Sequence, residues 1–226
     1  MTSAEEDTRA SYTLTLSGPL RWGFWACIII AVAVVLRRVF ALAYPSYSGP
    51  PQLVALDAAF ASHAALTLAH ILPALVFVLI CPAMIFRAPG KAAWLERLFF
   101  PLGLVVGITA YAMSAFPVGG WTERSAVLLF NSLYLFSLAR AYRYWRRDNF
   151  LLERRWMLRA IVILLGIATI RPVMGVFFAT SRLTHLEPNQ FFGIAFWIGF
   201  SINTLGVELW LRRQDRSCST GTAATN

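Results

Sequence analysis

Arg171 is the most informative candidate for chemistry in this chain, because it lies inside a stretch that is otherwise apolar. The stretch runs from Trp156 to Ala179 and is typical of a membrane-spanning helix, and Pro172 follows the arginine directly. A charged side chain at that depth costs at least ~2.5 kcal/mol on insertion scales, so it needs a partner, a hydrated cavity or a function. Either Arg171 binds backbone carbonyls freed by the proline, or it serves a polar site within the membrane. The second interpretation is favoured.

Two histidines lie on the second apolar stretch, at a spacing that puts them on one face of a helix. His63 and His70 are seven residues apart, close to two turns, so their rings are expected about 10 Å apart along the axis. With the second helix running inward and the fifth outward, His70 lies near the depth of Arg171. Imidazole can bind a ligand or form a structural hydrogen bond to another helix. His63 alternatively lies at the level of the lipid headgroups.

A basic segment follows the fifth apolar stretch and extends the predicted site. Arg182 and His185 are three residues apart and share a face if the segment is helical. The sequence therefore predicts an outward-opening, basic ligand-binding pocket formed by His63, His70, Arg171, Arg182 and His185. No metal site is expected in it.

Other polar residues near this predicted pocket have simpler interpretations. Arg37 and Arg38 at the end of the first apolar stretch either join the pocket together with Asp57 or snorkel to the outer phosphates, and snorkelling is favoured. Asp57 is the carboxylate nearest to them in sequence. The mid-membrane residues Asn131, Ser201 and Asn203 either join the pocket or form hydrogen bonds between helices.

The composition indicates that the chain contains segments that lie in the lipid bilayer. The chain has 226 residues, of which 58% are hydrophobic and 14% are charged. A soluble domain carries about 25% charged residues, so the deficit indicates a membrane protein. The net charge of +9 is concentrated in alternate loops between apolar stretches. This placement follows the positive-inside rule and does not indicate nucleic-acid binding.

Six stretches are long enough to cross a hydrocarbon layer, which takes about 20 helical residues. The sequence thus predicts an all-α bundle of six transmembrane helices, at residues 22–43, 59–83, 99–116, 125–143, 157–179 and 190–211. This transmembrane domain, residues 21–213, follows a polar N-terminal tail, residues 1–20. Residues 214–226 are rich in Ser, Thr and Ala and are expected to form a disordered tail.

The arginines also predict the orientation. Most of them lie on one side, including the run from Arg140 to Arg159, if the N-terminus is cytoplasmic. Both termini are therefore expected in the cytoplasm of a bacterial cell, with the chain as a multi-pass protein of the inner (plasma) membrane. The same run is expected to attract anionic membrane lipids. At the end of the sixth helix, Glu208 and Arg212 are spaced for an i,i+4 pair.

Motifs of known catalytic sites are missing from the sequence. It contains no HExxH, GxSxG, Walker loop, glycine-rich dinucleotide turn or intramembrane aspartate pair. Its three cysteines form no CxxC pair or Cys/His cluster that would bind a metal. The sequence assigns no reaction, and whether the protein is an enzyme stays open.

Several short segments together resemble a bacterial family of predicted membrane proteins known as domain of unknown function 2306. They are residues 66–73 (LTLAHILP), 119–121 (GGW), 155–159 (RWMLR), 171–172 (RP) and 178–185 (FATSRLTH). The resemblance extends from the second helix to the sixth and implies a polytopic membrane protein without an established activity. Family members often carry two inner-side histidines at positions that here hold Ala92 and Glu153. The outer-side residues of the predicted pocket match the family.

Three functions are compatible with these observations. The first is binding or transport of an anionic or polar small molecule, or of a lipid or quinone headgroup, held by Arg171 and oriented by His70. The second is a redox protein with haem b as cofactor, by analogy with membrane cytochromes; His70 and His185 would have to supply both axial ligands. The third is a membrane assembly or scaffold protein whose polar residues only fix helix packing.

Overall fold

A computed structural model gives the architecture of the protein. It describes residues 18–44, 51–86, 93–184 and 188–223, and of 51–53, 93, 181–184, 188–189 and 217–223 only the backbone. The described residues fold into helices and turns and include no strand, so the predicted all-α fold is confirmed. Eight helices succeed one another in the described ranges: α1 Gly18–Ala43, α2 Pro51–Ala61, α3 Ala64–Phe86, α4 Ala93–Met113, α5 Gly120–Trp145, α6 Phe150–Leu164, α7 Gly166–Thr184 and α8 Pro188–Ala223.

Five segments among the described residues have the length and apolar composition of membrane spans. They are Gly18–Ala43, Ala64–Phe86, Trp94–Met113, Phe150–Thr180 and Gln190–Arg216. The fourth expected span, residues 125–143, corresponds to α5, which has 26 residues. At 1.5 Å per residue it is about 39 Å long, enough for a crossing. Six crossings and the cytoplasmic termini stay predictions.

Two of the expected spans are divided. The second was predicted to begin at residue 59, but the helix stops at Ala61 and starts again at Ala64, which leaves His63 in the turn. In the fifth, the helical hydrogen bonding is interrupted at Leu165, between α6 and α7, while Leu165 itself keeps helical backbone angles. Asn203 of α8 compensates for this break, because its Nδ2 donates to the Val162 carbonyl at 2.9 Å. The interruption therefore leaves that acceptor satisfied.

The last helix continues beyond the boundary predicted at residue 213. Its backbone is helical to Ala223, and the disorder expected of residues 214–226 stays a prediction. One reason for the longer helix lies at Asp215, whose carboxylate accepts from Nη2 of Arg155 at 2.6 and 2.7 Å. This contact attaches the end of α8 to α6. The predicted pair between Glu208 and Arg212 is present at 3.4 Å.

The bundle is arranged around α5, which packs against α4, α6 and α8, while α3 packs against α1 and α4 and α7 packs on α8. Polar side chains bond across the closest contacts: Asn131 Nδ2 donates to the Gly107 carbonyl and the Tyr134 hydroxyl to that of Gly103, both at 2.9 Å. Without a strong hydrophobic drive between helices in lipid, close approach and such bonds hold them together.

The close contact between α7 and α8 leads to a prediction about the stability of the protein. A Cβ added at Gly199 would lie 2.5 Å from Cγ1 of Ile170 and 2.9 Å from its backbone nitrogen. Gly199→Ala should therefore force the helices apart and lower the stability by about 1–3 kcal/mol, as overpacking does. The matched control is Gly175→Ala, where nothing lies within 4 Å. Thermal unfolding in detergent measures both; equal midpoints for the two variants would contradict the close approach.

Candidate functional site

A cavity of about 230 Å³ lies within the bundle, and all eight helices contribute to its wall. It is closest to the end where α4 leads into α5, since Ser114, Phe116 and Val118 of that connection line it. Most of the lining side chains are apolar, and the charged ones are Arg38, Glu123 and Arg171. The cavity is therefore an apolar space with a few fixed polar groups, as small-molecule sites usually are.

Arg171 of α7 lines this cavity, and its side chain has no hydrogen-bond acceptor among the described residues. Its Nε is buried and has no hydrogen-bond partner, and its guanidinium forms no hydrogen bond or ion pair with any residue that the structure describes. The charged groups that act on it are Arg38 and Arg37, which repel it. An unpaired cation beside two others in an apolar surrounding is costly. The interpretation in which Arg171 binds freed backbone carbonyls has no support among the described contacts.

Arg38 lies in the cavity wall, so the favoured interpretation that it snorkels to lipid phosphates is wrong. Its side chain is 7% exposed, and its guanidinium lies 4.0 Å from the centre of the Phe60 ring. Nη1 of Arg38 donates a hydrogen bond to Asp57. The same carboxylate accepts hydrogen bonds from Nη2 and Nη1 of the half-exposed Arg37, at 2.9 and 3.2 Å. One carboxylate thus serves two arginines, and the cluster keeps a net positive charge.

His70 of α3 lines the same cavity and is hydrogen-bonded to α4. Its Nδ1 lies 2.9 Å from Oγ1 of Thr109, whose hydroxyl donates to the Val105 carbonyl at 2.7 Å. A threonine hydroxyl has one hydrogen, so when Thr109 donates it to the Val105 carbonyl, Nδ1 carries the imidazole hydrogen and donates a hydrogen bond to Oγ1 of Thr109. The neutral ring keeps Nε2 as an acceptor. His70 therefore combines the structural hydrogen bond and the cavity position that the sequence left as alternatives.

The other polar groups in the cavity wall are occupied. Glu123 accepts from the Gly119 backbone N–H at 2.6 Å and so closes the first turn of α5. The remaining side chains bond backbone carbonyls of their own or a neighbouring helix: Thr67, Ser114, Asn131 and Tyr134. Among the described polar residues of the wall, Arg171 alone is left with neither an acceptor nor a counter-ion.

The structure brings two of the five predicted site residues together, His70 and Arg171. His63 lies outside the cavity wall: it is exposed, its ring stacks on Phe116 at 3.9 Å and its Nδ1 bonds Oγ of Ser62. The expected common face of His63 and His70 is lost because the helix is divided between them. Arg182 is placed in α7 by its backbone alone, and His185 lies outside the described residues.

Two charged residues of the wall, Arg38 and Glu123, were not included in the sequence-based site. Arg38 was set aside because nothing in the sequence separates it from Arg37, although only one of two consecutive helical residues can face inward. Glu123 was not considered, and its signal was weak, since an acidic residue in a first helical turn is common for reasons of the helix dipole. Asn203 takes the interhelical role that the sequence offered as an alternative.

The described part of the chain offers few residues that could bind a metal or a haem. No group of three or more His, Cys, Asp and Glu side chains there could hold a metal ion. A haem would need His185 as the partner of His70, and His185 is not among the described residues. Haem binding stays a prediction from the sequence.

Comparisons with known proteins give one match. The family described as predicted membrane protein (DUF2306) matches residues 67–211, from α3 to α8. This range includes His70, Glu123 and Arg171 and leaves out Arg38 and Asp57. No curated protein and no solved structure matches the chain.

Proposed function

We propose that this chain, which belongs to the DUF2306 family of predicted membrane proteins, binds an anionic amphiphile in the cavity of its bundle. The headgroup would be held by the guanidinium groups of Arg171 and Arg38. The observation that carries the proposal is Arg171, whose Nε is buried and unpartnered, in a wall whose other described polar groups are satisfied. Since a buried cation without an anion is costly, a ligand that supplies the anion should bind with a large gain.

The apolar wall supports a ligand with a hydrocarbon part. Below the arginines, the cavity is lined by aliphatic side chains, among them Val34, Leu75, Val78 and Ile167. A small hydrophilic anion would leave this apolar surface in contact with water. A hydrocarbon chain would cover it, and the free energy gained is roughly 25 cal/mol per Å² of apolar surface buried. An anionic lipid fits both parts of the site. A quinone fits the apolar part, with His70 Nε2 as an acceptor, but it does not neutralise Arg171.

Transport of the same ligand is a second candidate, and the divided fifth span favours it. Ile163, Leu164 and Ile167 on either side of the Leu165 interruption line the cavity. Interrupted membrane helices beside a binding site near the middle of the bundle are typical of transporters, because they allow local rearrangement. The arginine distribution predicts that both termini lie in the cytoplasm. In a bacterial inner membrane, the cavity end with Phe116 would then face outward.

Three related probes test the binding proposal. Dodecanoate has both charge and chain, dodecanol has the chain alone, and acetate has the charge alone. Each is titrated into the full-length protein in phosphatidylcholine nanodiscs, and the thermal midpoint and the dissociation constant are measured. We expect dodecanoate to stabilise the protein and to bind at least tenfold more tightly than either fragment.

The other outcomes overturn the proposal in distinct ways. Equal binding of dodecanoate and dodecanol would show that the arginines do not select charge. Equal binding of dodecanoate and acetate would show that the apolar wall is not used. Tighter binding of decylubiquinone than of dodecanoate would make the ligand a neutral quinone.

A further inference from the structure

A second basic cluster lies at the opposite end of the bundle, where α5 ends and α6 begins. The guanidinium of Arg140 lies 5.1 Å from the ring centre of Trp156, and that of Arg159 lies 4.5 Å from the same ring. Arg140 also lies 5.2 Å from the ring of Tyr144 and donates from Nη2 to its hydroxyl at 2.9 Å. Two cations and two aromatic rings from neighbouring helices thus share one place.

Two carboxylates near this cluster pair with Arg159 and with arginines outside the cluster, and not with Arg140. Glu208 accepts from Nε of Arg159 at 3.0 Å and from Arg212 at 3.4 Å. Asp215 pairs with Arg155 at 2.6 Å. No carboxylate among the described residues lies within ion-pair distance of Arg140. Its Nε is buried and has no hydrogen-bond partner there, so the cluster has an unused donor and an excess positive charge.

The position of the cluster fits the boundary of the membrane. Trp145 ends α5 and Trp156 lies in the second turn of α6, and tryptophans are enriched at headgroup level. The exposed arginines 143, 146 and 147 follow in the same region. An anionic headgroup at this level would be within reach of Arg140 and would meet a positive potential.

We propose that Arg140, Trp156 and Arg159 bind the phosphate of an anionic phospholipid. A guanidinium offers paired N–H donors that match phosphate oxygens, and the indole positions both guanidinium groups. The arginine-rich segment alone predicts a diffuse attraction of about 1 kcal/mol per basic residue near the surface. The diffuse attraction depends only on charge, whereas the buried Nε of Arg140 is an unpaired donor at one fixed position, which is a feature of a defined site. This site is separate from the cavity, so either proposal can fail without the other.

Paired variants and paired lipids test the site. Arg140→Gln removes a cluster arginine, and Arg147→Gln removes the same charge from an exposed position nearby. Native mass spectrometry of the full-length protein in detergent measures the affinity for phosphatidylglycerol, for phosphatidylcholine with the same chains and for inorganic phosphate. We expect phosphatidylglycerol to bind wild type and Arg147→Gln at least tenfold more tightly than Arg140→Gln. Phosphatidylcholine and inorganic phosphate should bind weakly to all three.

Arg140→Lys protects the test against loss of folding. It keeps the charge and lacks the fork, so it should lose most of the phosphatidylglycerol affinity while its thermal midpoint stays near that of wild type. Equal losses in Arg140→Gln and Arg147→Gln would overturn the site in favour of diffuse attraction. Inorganic phosphate bound as tightly as phosphatidylglycerol would make the ligand a free anion instead of a lipid. Full affinity in Arg140→Lys would show that the guanidinium geometry is not used.

Discussion

Arg171→Met is expected to abolish the preference of the cavity for anions and, at the same time, to raise the stability of the empty protein. Methionine fills a similar space and carries no charge. Its apolar side chain suits the surroundings, whereas the arginine is repelled by Arg38 and Arg37 and has no acceptor among the described residues. Replacing a buried charged group by an apolar one of similar volume is often neutral or stabilising. We expect a gain of about 1 kcal/mol or more.

The loss of binding should be large. Hydrogen bonds to charged groups contribute about 1.5–3 kcal/mol, which corresponds to roughly 10–150-fold in the dissociation constant. Dodecanoate titrations give this number, and thermal unfolding without ligand gives the stability. Arg37→Met is the matched control, because Arg37 has the same charge and pairs with Asp57 but its side chain is 48% exposed and lies outside the cavity wall. It should reduce the affinity by a few-fold at most.

Opposite signs for binding and stability separate a ligand site from a scaffold. If Arg171 only fixed the packing of α7, Arg171→Met would unfold more easily than wild type and would bind dodecanoate unchanged. Arg171→Lys adds a finer distinction, since lysine keeps the charge without the fork. It should retain part of the affinity, and complete retention would reduce the role of Arg171 to a point charge.

The meeting of His70 and Arg171 could be predicted because it depends on helix geometry and direction alone. A fixed rise per residue converts sequence position into depth, so two residues at equal distances from their interface come to one level. The apolar stretches and the basic loops determine the helices and their alternating directions in the same way. For these reasons the all-α class and the level of the candidate site follow from composition and spacing.

The rest of the site depends on rotation and on local breaks, which spacing does not determine. Arg37 and Arg38 are consecutive, so their side chains point about 100° apart, and the packing of α1 decides which one is buried. His63 left the predicted face because the chain turns at Ser62 and His63, where no proline or glycine marks a break. The interruption at Leu165 is stabilised by Asn203, which is 38 positions away and whose contact could not be derived from local sequence.

Asp57→Asn should have the opposite pair of effects from Arg171→Met: lower stability and tighter anion binding. The carboxylate neutralises Arg38 and Arg37 and attaches α2 to α1. Its removal leaves the buried Arg38 without a counter-ion. Breaking a fully buried pair costs about 3–5 kcal/mol; because Asp57 is 25% exposed, we expect about 1–3 kcal/mol here.

The gain in affinity follows from competition. In wild type, Asp57 occupies donors of Arg38 that an anionic headgroup in the cavity would otherwise use. With asparagine at this position, the ligand meets two uncompensated guanidinium groups, and we expect dodecanoate to bind about tenfold more tightly, a difference of ~1.4 kcal/mol. The ligand should also restore most of the lost thermal stability, because it replaces the missing carboxylate. Asp148→Asn is the control, since it makes the same change of charge at an exposed turn with φ 51°. If Asp57→Asn weakened dodecanoate binding while Asp148→Asn did not, Asp57 would be holding the wall of the cavity in place, and Arg38 would not be a ligand-binding group.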